Sequence, residues 1–346
     1  MRDDHPLIRV LRIDCVFDND YYVPGWLGTA IRGVFGYSLR KEVCITRKKI
    51  TRKKSCRGCP YTARCPYKII FETSSRSFFG AMSKVGYKLV GITKPYTLTN
   101  IIVREGLSFN FELNLFGGYT FSQEAMIVNV IRRMGELGLG RCPRTKERRK
   151  FSVLRILSVN PFTKETDIVF GEGIYKSPID GRPTDITRGL ISDVAEDIVS
   201  TEPRLLKMEF LTPTMVIAGG APEIPPSLSS ILKNITRKIL FLSEYFWNSS
   251  FFDVNIVNVI KRVEENTRIE ISNIKRMTIS RFSMKKAKFV KIHDFIRGTV
   301  FYKIGRDIYR DLTGKTLFES LLMGKFLHIG KLATMGAGMY YFEVYS

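Results

Sequence analysis

A repeated ending restricts the fold more than any other feature of this chain. Residues 135–159 and 324–345 both pass from a helical pattern through a glycine-rich, basic turn into a strand. What precedes each ending is also alike. The first half reads as a strand at 6–17, a helix at 25–39, strands at 97–104 and 107–116, a helix at 122–135 and a strand at 151–159. The second half reads as a strand at 205–217, a helix at 227–247, strands at 277–284 and 295–304, a helix at 316–328 and a strand at 339–345. Strands are read from period-two alternation, as in LSFNFELNLF at 107–116, and helices from apolar residues three and four apart. Two copies of strand–helix–strand–strand–helix–strand predict an α+β fold of tandem ferredoxin-like, RRM-like domains. Their sheets are antiparallel, with helices on one face and basic strands toward the other.

The expected domains are 1–160 and 205–346. Between them, residues 161–204 hold Pro161, Pro178, Gly181 and Pro183 and read as a connection. The run YKIIFE at 67–72 reads as one more short strand, as do residues 84–92, and Ser122 as the cap of the helix that follows it.

Charge narrows the partner. The 346 residues carry 55 Lys and Arg against 33 Asp and Glu, a formal charge of +22. The excess is clustered. Residues 40–57 hold nine basic residues against Glu42; 141–150 hold Arg141, Arg144, Lys146, Arg148, Arg149 and Lys150 against Glu147; and 275–291 hold Lys275, Arg276, Arg281, Lys285, Lys286, Lys288 and Lys291 with no acid. One such run is an ordinary solvated face, but three point to a polyanion. Nucleic acid suits them better than a membrane, because none lies on an amphipathic helix with an aromatic apolar side. No apolar run is long enough to span a bilayer, and the first ten residues set Asp3 and Asp4 beside Arg2 where a signal peptide is basic, so a cytoplasmic location is expected.

Cys44, Cys56, Cys59 and Cys65 stand in the pattern C-x11-C-x2-C-x5-C, a cysteine-rich insertion in the first domain. In a reducing compartment four thiols favour a metal over disulfides. A structural zinc, an iron–sulfur cluster and four unliganded thiols are the three readings; a four-thiolate site would leave no open position for chemistry. Cys15 reads as a small core residue and Cys142 as a loop thiol.

Near the end of the chain, Gly330, Gly336 and Gly338 alternate with Lys325, Lys331 and His328. Glycines let backbone N–H groups come close to a ligand, and beside positive charge they suit a phosphate. The other reading is a helix cap and a turn into a strand. The second glycine turn, running into Arg141 and Arg144, favours contact with an RNA backbone.

These residues carry a resemblance. The duplicated order, Phe210-Leu-Thr-Pro-Thr214, the Gly298-Thr-Val strand, Cys65-Pro-Tyr67 and the stretch His328-Ile-Gly-Lys-Leu-Ala-Thr-Met-Gly-Ala-Gly338 together resemble the CRISPR precursor-RNA-processing endoribonucleases of the RAMP superfamily. The resemblance implies an RNA cleft between two ferredoxin-like domains and metal-independent cutting of CRISPR repeat RNA. In that reaction the ribose 2′-OH attacks the adjacent phosphate, leaving a 2′,3′-cyclic phosphate and a 5′-OH. It also implies other CRISPR effector proteins as partners. Many such enzymes place a histidine near the end of the first helix; here the only histidines are His5, His293 and His328. Lys41 stands nearest that position, and Tyr22, Tyr37 and His328 are the other candidates for proton transfer. Arg281, Lys285, Lys325, Lys331, Arg141 and Arg144, with the three glycines, are the expected RNA contacts. The missing histidine leaves room for a second reading, an RNA-binding RAMP subunit that does not cut, and the cysteines for a third, a metal-containing DNA-binding regulator.

Overall fold

The structure, a computed structural model, describes residues 5–18, 26–45, 56, 59–73, 92–99, 107–140, 147–179, 181–283 and 288–346; the side chains of 281–289 lie outside that set. The chain forms two compact units, one built from residues 7–185 and the other mainly from 186–281 and 290–346.

In the first unit, β1 (Pro6–Phe17) is central and buried along nearly its whole length. It pairs antiparallel with β3 (Ser108–Phe116) on one side and β4 (Phe151–Val159) on the other. Strand β2 (Tyr96–Thr99) lies outside β3, and β5 (Thr166–Gly171) and β6 (Ile174–Tyr175) extend the sheet beyond β4. The order β2-β3-β1-β4 is that of a ferredoxin-like sheet. Helix α1 (Gly28–Val43) packs on α3 (Glu124–Leu137), preceded by the short α2 (Gly118–Ser122). Ile31, Phe35 and Leu39 on α1 and Ile127, Ile131 and Met134 on α3 recur at helical spacing and share one core with Leu11, Ile13 and Phe111.

Two local expectations are corrected. Residues Tyr67–Phe71 form a π-helical turn rather than a strand, with Tyr67 and Ile70 facing inward. A Cβ on Gly36 would fall 2.1 Å from the Phe71 ring, so the glycine lets α1 lie directly against this turn. Ser122 does not cap α3; its hydroxyl donates to the carbonyl of Tyr119, and the chain breaks at Gln123. Residues 84–91 and 100–106 lie outside the described residues.

The stretch read as a connection is folded. Its first part is held to β1 and α3 by a buried charge network. The Arg9 guanidinium donates through Nε and Nη2 to both oxygens of Asp185, at 2.7 and 2.6 Å, and through Nη1 to Glu124 at 2.9 Å. Arg182 donates to the two Glu124 oxygens at 2.9 and 2.6 Å and also pairs with Asp167 on β5. Tyr175 adds a hydroxyl to Glu124.

The second unit begins with β7 (Ile186–Thr187), whose Thr187 hydroxyl caps α4 (Arg188–Ser200) by accepting from the Leu190 amide. Its sheet has the order β11-β12-β8-β13, from β8 (Leu205–Thr214), β11 (Thr267–Ser283), β12 (Lys288–Ile304) and β13 (Tyr340–Tyr345). In sequence terms this repeats the order of the first sheet, so the tandem ferredoxin-like reading holds. A small hairpin, β9 (Ile217–Ala218) and β10 (Ala221–Pro222), leads to α5 (Leu228–Leu242), capped by Ser227. Helix α6 (Ile256–Asn266), capped by Asn255, has no counterpart in the sequence reading. Helix α7 (Thr313–Leu327) packs on α4 and α5 and is buried nearly all round. Leu206, Met208, Phe210, Val300, Tyr302, Tyr340 and Phe342 supply the buried side of the sheet. No helix among the described residues is long and apolar enough to cross a membrane.

Candidate nucleic-acid interface

Helix α7 delivers the chain into the glycine motif, and the motif is strapped to its own unit. The amide of Gly330 donates to Asn234 Oδ1 on α5 at 2.7 Å, Lys331 to the Met215 carbonyl at 3.0 Å, and Gly338 to the Pro213 carbonyl at 3.0 Å. Ile329 donates to the Gly338 carbonyl at 2.9 Å, and Met339 to the Thr212 hydroxyl at 2.9 Å. Two stretches that stood apart in the sequence, Phe210-Leu-Thr-Pro-Thr214 and the glycine motif, thus dock on each other. Gly330 and Gly338 have φ of 71° and 79°, and an added Cβ would meet the Met215 carbonyl oxygen at 2.0 Å and the Ile329 carbonyl oxygen at 1.8 Å. The close approach these glycines permit is to the protein's own backbone. Gly336, at φ 77°, ends a single 3₁₀ turn, and its amide bonds the Ala333 carbonyl.

His328 is fully buried, with φ 54° and ψ 161°, a region that few residues other than glycine occupy. Its Nδ1 donates to the Ala333 carbonyl at 3.2 Å. Lys238 from α5 donates to the Leu327 and His328 carbonyls, at 3.4 and 2.5 Å, and so closes the C-terminus of α7. Burial, reinforced by the charge of Lys238, lowers the His328 imidazole to about 3. Burial alone lowers Lys238 to about 7. A neutral, enclosed imidazole suits the shaping of the loop rather than proton exchange with RNA.

This has a measurable sign. The unfolded chain takes up the His328 proton near pH 6.5 and the folded chain only near pH 3, so the unfolded state binds the extra proton in between. Stability that is present above 6.5 is lost as pH falls toward 3, at up to about 1.4 kcal/mol per pH unit. Urea titrations at pH 7 and pH 5 are expected to show a larger drop in wild type than in His328→Gln; equal drops would exclude this linkage.

Lys331 is exposed on the motif, and Lys325 in the last turn of α7 holds its ammonium 4.6 Å from the Phe342 ring and 5.4 Å from the Tyr341 ring. The largest basic feature is the hairpin β11–β12. Its two strands carry eight Lys and Arg against two acids, Glu270 and Asp294. Strand β12 is in register with β8 only from Ile296 to Lys303, so the two 17-residue strands run on past the sheet as a ribbon. Lys275, Arg276, Lys291 and Arg297 are exposed along it. Arg281 lies on β11 with its side chain outside the described set.

In the first unit the structure brings Tyr37 and Lys41 together on the solvent side of α1, the Lys41 ammonium 5.1 Å from the centre of the Tyr37 ring. Tyr22, Arg141, Arg144 and Lys285 lie outside the described residues. A cluster that sequence reasoning missed sits where α1 meets the π-helical turn. Lys94 donates to the Phe71 carbonyl at 2.5 Å, Lys68 to the Glu72 carbonyl at 3.0 Å, and the Arg32 guanidinium lies 4.3 Å over the Phe71 ring. Burial, then the neighbouring Arg32 charge, lowers Lys94 to about 7. These are isolated cations in the sequence, which is why no charge run marked them.

Among the described residues no group of three or more His, Cys, Asp or Glu side chains is placed to hold a metal ion. Cys56 lies beside Glu72, and burial followed by that carboxylate's charge raises its thiol to about 11. Within the described residues the cysteine-rich stretch forms a 3₁₀ turn at Thr62–Arg64 and leads into the π-helical turn after it.

Comparison with known proteins agrees with this architecture. Residues 208–340 match the family model described as CRISPR-associated endoribonuclease Cas6, and residues 6–180 match a model described as an N-terminal domain. No curated protein matches the sequence. A solved Cas6 product complex is similar over 97% of this chain and 100% of that one, at 12% identity and a TM-score of 0.51. Cas6 of Thermus thermophilus is similar over 98% and 99%, at 11% identity and a TM-score of 0.50. A chain of a partial Cas6-RT-Cas1–Cas2 complex is similar over 99% of this chain and 47% of its own length, at 10% identity and a TM-score of 0.55. At such identities the structural likeness speaks for the fold, and over residues 208–340 the sequence itself matches the Cas6 family of CRISPR-associated endoribonucleases.

Proposed function

We propose that this protein cuts CRISPR repeat RNA to mature guide RNA, by attack of the ribose 2′-OH on the adjacent phosphate. The observation that carries the reading is the basic hairpin β11–β12 within the residues that match the Cas6 family model. The eight cations of its strands supply the sequence-independent grip that an RNA backbone requires. The reaction needs a base at the 2′-OH, an acid at the leaving 5′-oxygen and positive charge on the phosphorane. Tyr37 and Lys41 on α1 are the candidates for proton transfer, and a further one is Lys94, held against the π-helical turn, an amine lowered to about 7 and therefore partly deprotonated at neutral pH. Lys325 and Lys331 are candidates for the phosphate. Other CRISPR proteins are proposed partners, in line with the Cas6-RT-Cas1–Cas2 assembly of a structural relative.

A second reading, an RNA-holding subunit without cleavage, is favoured by the enclosure of His328 and by the absence of a histidine on α1. One assay separates the two. Incubation of purified protein with repeat RNA in EDTA is expected to give a single cut with 2′,3′-cyclic phosphate and 5′-OH ends, abolished by a 2′-deoxy nucleotide at the scissile position. RNA that is bound but never cut supports the second reading, and cutting that survives the deoxy substitution refutes the mechanism.

A further inference from the structure

The second-unit sheet has one side turned away from α5 and α7, and that side is not simply basic. Strand register lays its side chains out as three rows across β12, β8 and β13. Thr299, Glu209 and Tyr341 form one row; Phe301, Lys207 and Glu343 the next; Lys303, Leu205 and Tyr345 the third. Tyr341 and Tyr345 are 46% and 45% exposed, a large area for tyrosines in a sheet. In the middle row Glu343 is engaged: Lys207 Nζ and the Tyr345 hydroxyl both donate to its Oε2, each at 2.8 Å. Glu209 stands exposed directly opposite Tyr341.

We infer that Tyr341 and Glu209 form a subsite for one guanine of single-stranded RNA, stacked on the tyrosine ring and hydrogen-bonded through its Watson–Crick edge to the carboxylate. The inference rests on the RNA-binding reading above and names the base that reading leaves open. A carboxylate on the surface of so basic a protein repels a phosphate, so what lies over it is a base rather than the backbone. An exposed aromatic ring on a sheet is a stacking platform for any base. Selection comes from the carboxylate, whose two oxygens only accept. Guanine alone presents two adjacent donors, N1–H and the N2 amino group, which match those oxygens in parallel. Adenine and cytosine each place a ring-nitrogen acceptor beside their one amino donor, and uracil flanks its single N3–H with two carbonyls, so each would set a lone pair against Glu209. Directly opposed residues of an antiparallel pair have Cβ atoms about 5 Å apart, close enough for one base to touch both side chains. Lys325, close to the Tyr341 ring, is placed to meet the phosphate of the same nucleotide.

The test is fluorescence anisotropy of the full chain with uridine oligonucleotides that carry a single central guanosine, inosine or uridine. Wild type is expected to bind the guanosine oligonucleotide about tenfold more tightly than the all-uridine one, in the range of a well-made paired contact to a base. Inosine, which lacks the N2 amino group, should lose most of that advantage without any change to the protein. In Glu209→Gln the ratio between the guanosine and uridine oligonucleotides should fall to about one, and Tyr341→Leu should weaken both. Equal affinities in wild type, or an advantage that persists in inosine and in Glu209→Gln, would overturn the subsite while leaving the RNA-binding reading intact. Failure of wild type to bind any of the three would overturn both.

Discussion

Replacing Glu124 by alanine is expected to destabilise the first unit by about 3–5 kcal/mol, the cost of removing one partner from a buried ion network. Glu124 sits 1% exposed at the start of α3, with Arg9 and Arg182 each 2% exposed in their side chains beside it. Both guanidiniums donate to its carboxylate, and so does the Tyr175 hydroxyl. Alanine leaves one guanidinium nitrogen of Arg9 and two of Arg182 short of an acceptor beside side chains that are 2% exposed. For a domain whose whole stability is typically about 5–15 kcal/mol, that loss is a large fraction. Urea unfolding of wild type and Glu124→Ala, followed by tryptophan fluorescence and circular dichroism, measures it. Because Asp185 keeps its paired bonds to Arg9, the loss should be smaller than for Arg9→Ala, which takes a guanidinium partner from both carboxylates at once. A change below about 1 kcal/mol would mean that water or a rearranged Arg182 compensates.

The second large effect is expected at Gly338. Its φ of 79° is strained for any side chain, and a Cβ would sit 1.8 Å from the Ile329 carbonyl oxygen. Gly338→Ala must therefore break the Ile329 to Gly338 and Gly338 to Pro213 bonds that fix the motif. Strain of about 1–3 kcal/mol, added to about 1 kcal/mol for each lost hydrogen bond, gives a total of roughly 3–5 kcal/mol. Gly173 is the control: its φ is 81°, but nothing lies within 4 Å of the Cβ position, so Gly173→Ala should cost only about 1 kcal/mol. Hydrogen exchange at the Ile329 amide should accelerate strongly in Gly338→Ala and stay unchanged in Gly173→Ala. Equal behaviour of the two variants would show that the motif accommodates the methyl group.

Much of the fold is legible in the sequence because its signals are local. Period-two runs such as residues 108–116 and the recurring apolar rows of α1, α3, α5 and α7 place most of the framework, and duplication then gives the strand order. Where reading fails, the deciding interaction is distant. YKIIF looks like a strand until Gly36, more than thirty residues earlier, is seen to receive the Phe71 ring. Arg9 sits in an otherwise apolar strand with partners at 124 and 185 that no spacing rule connects. Helix α6 has an asparagine cap and Val259, Ile260 and Val263 at helical spacing, a signal that was present but brief. The candidate site is less legible than the fold. Glycines announce a close approach without saying to what, and for Gly330 and Gly338 it is to Met215 and Ile329. Cysteine spacing announces thiols without naming their neighbours, and Cys56 lies beside Glu72, a carboxylate that no spacing rule connects to it. Lys94 and Lys238 owe their character to burial, which a charge count does not register.

The ribbon that runs past the second sheet gives ionic strength a selective hold on this molecule. Eight cations on the two strands release counterions from any RNA they meet, and each phosphate they neutralise steepens the logarithmic fall of affinity with salt by about 0.7 for a single strand. A base stacked on a tyrosine and bonded to a carboxylate releases no counterions. Raising salt therefore loosens the ribbon's grip on every sequence alike and leaves the ratio between one base and another where it was, so dilute buffer reports on holding and concentrated buffer on reading.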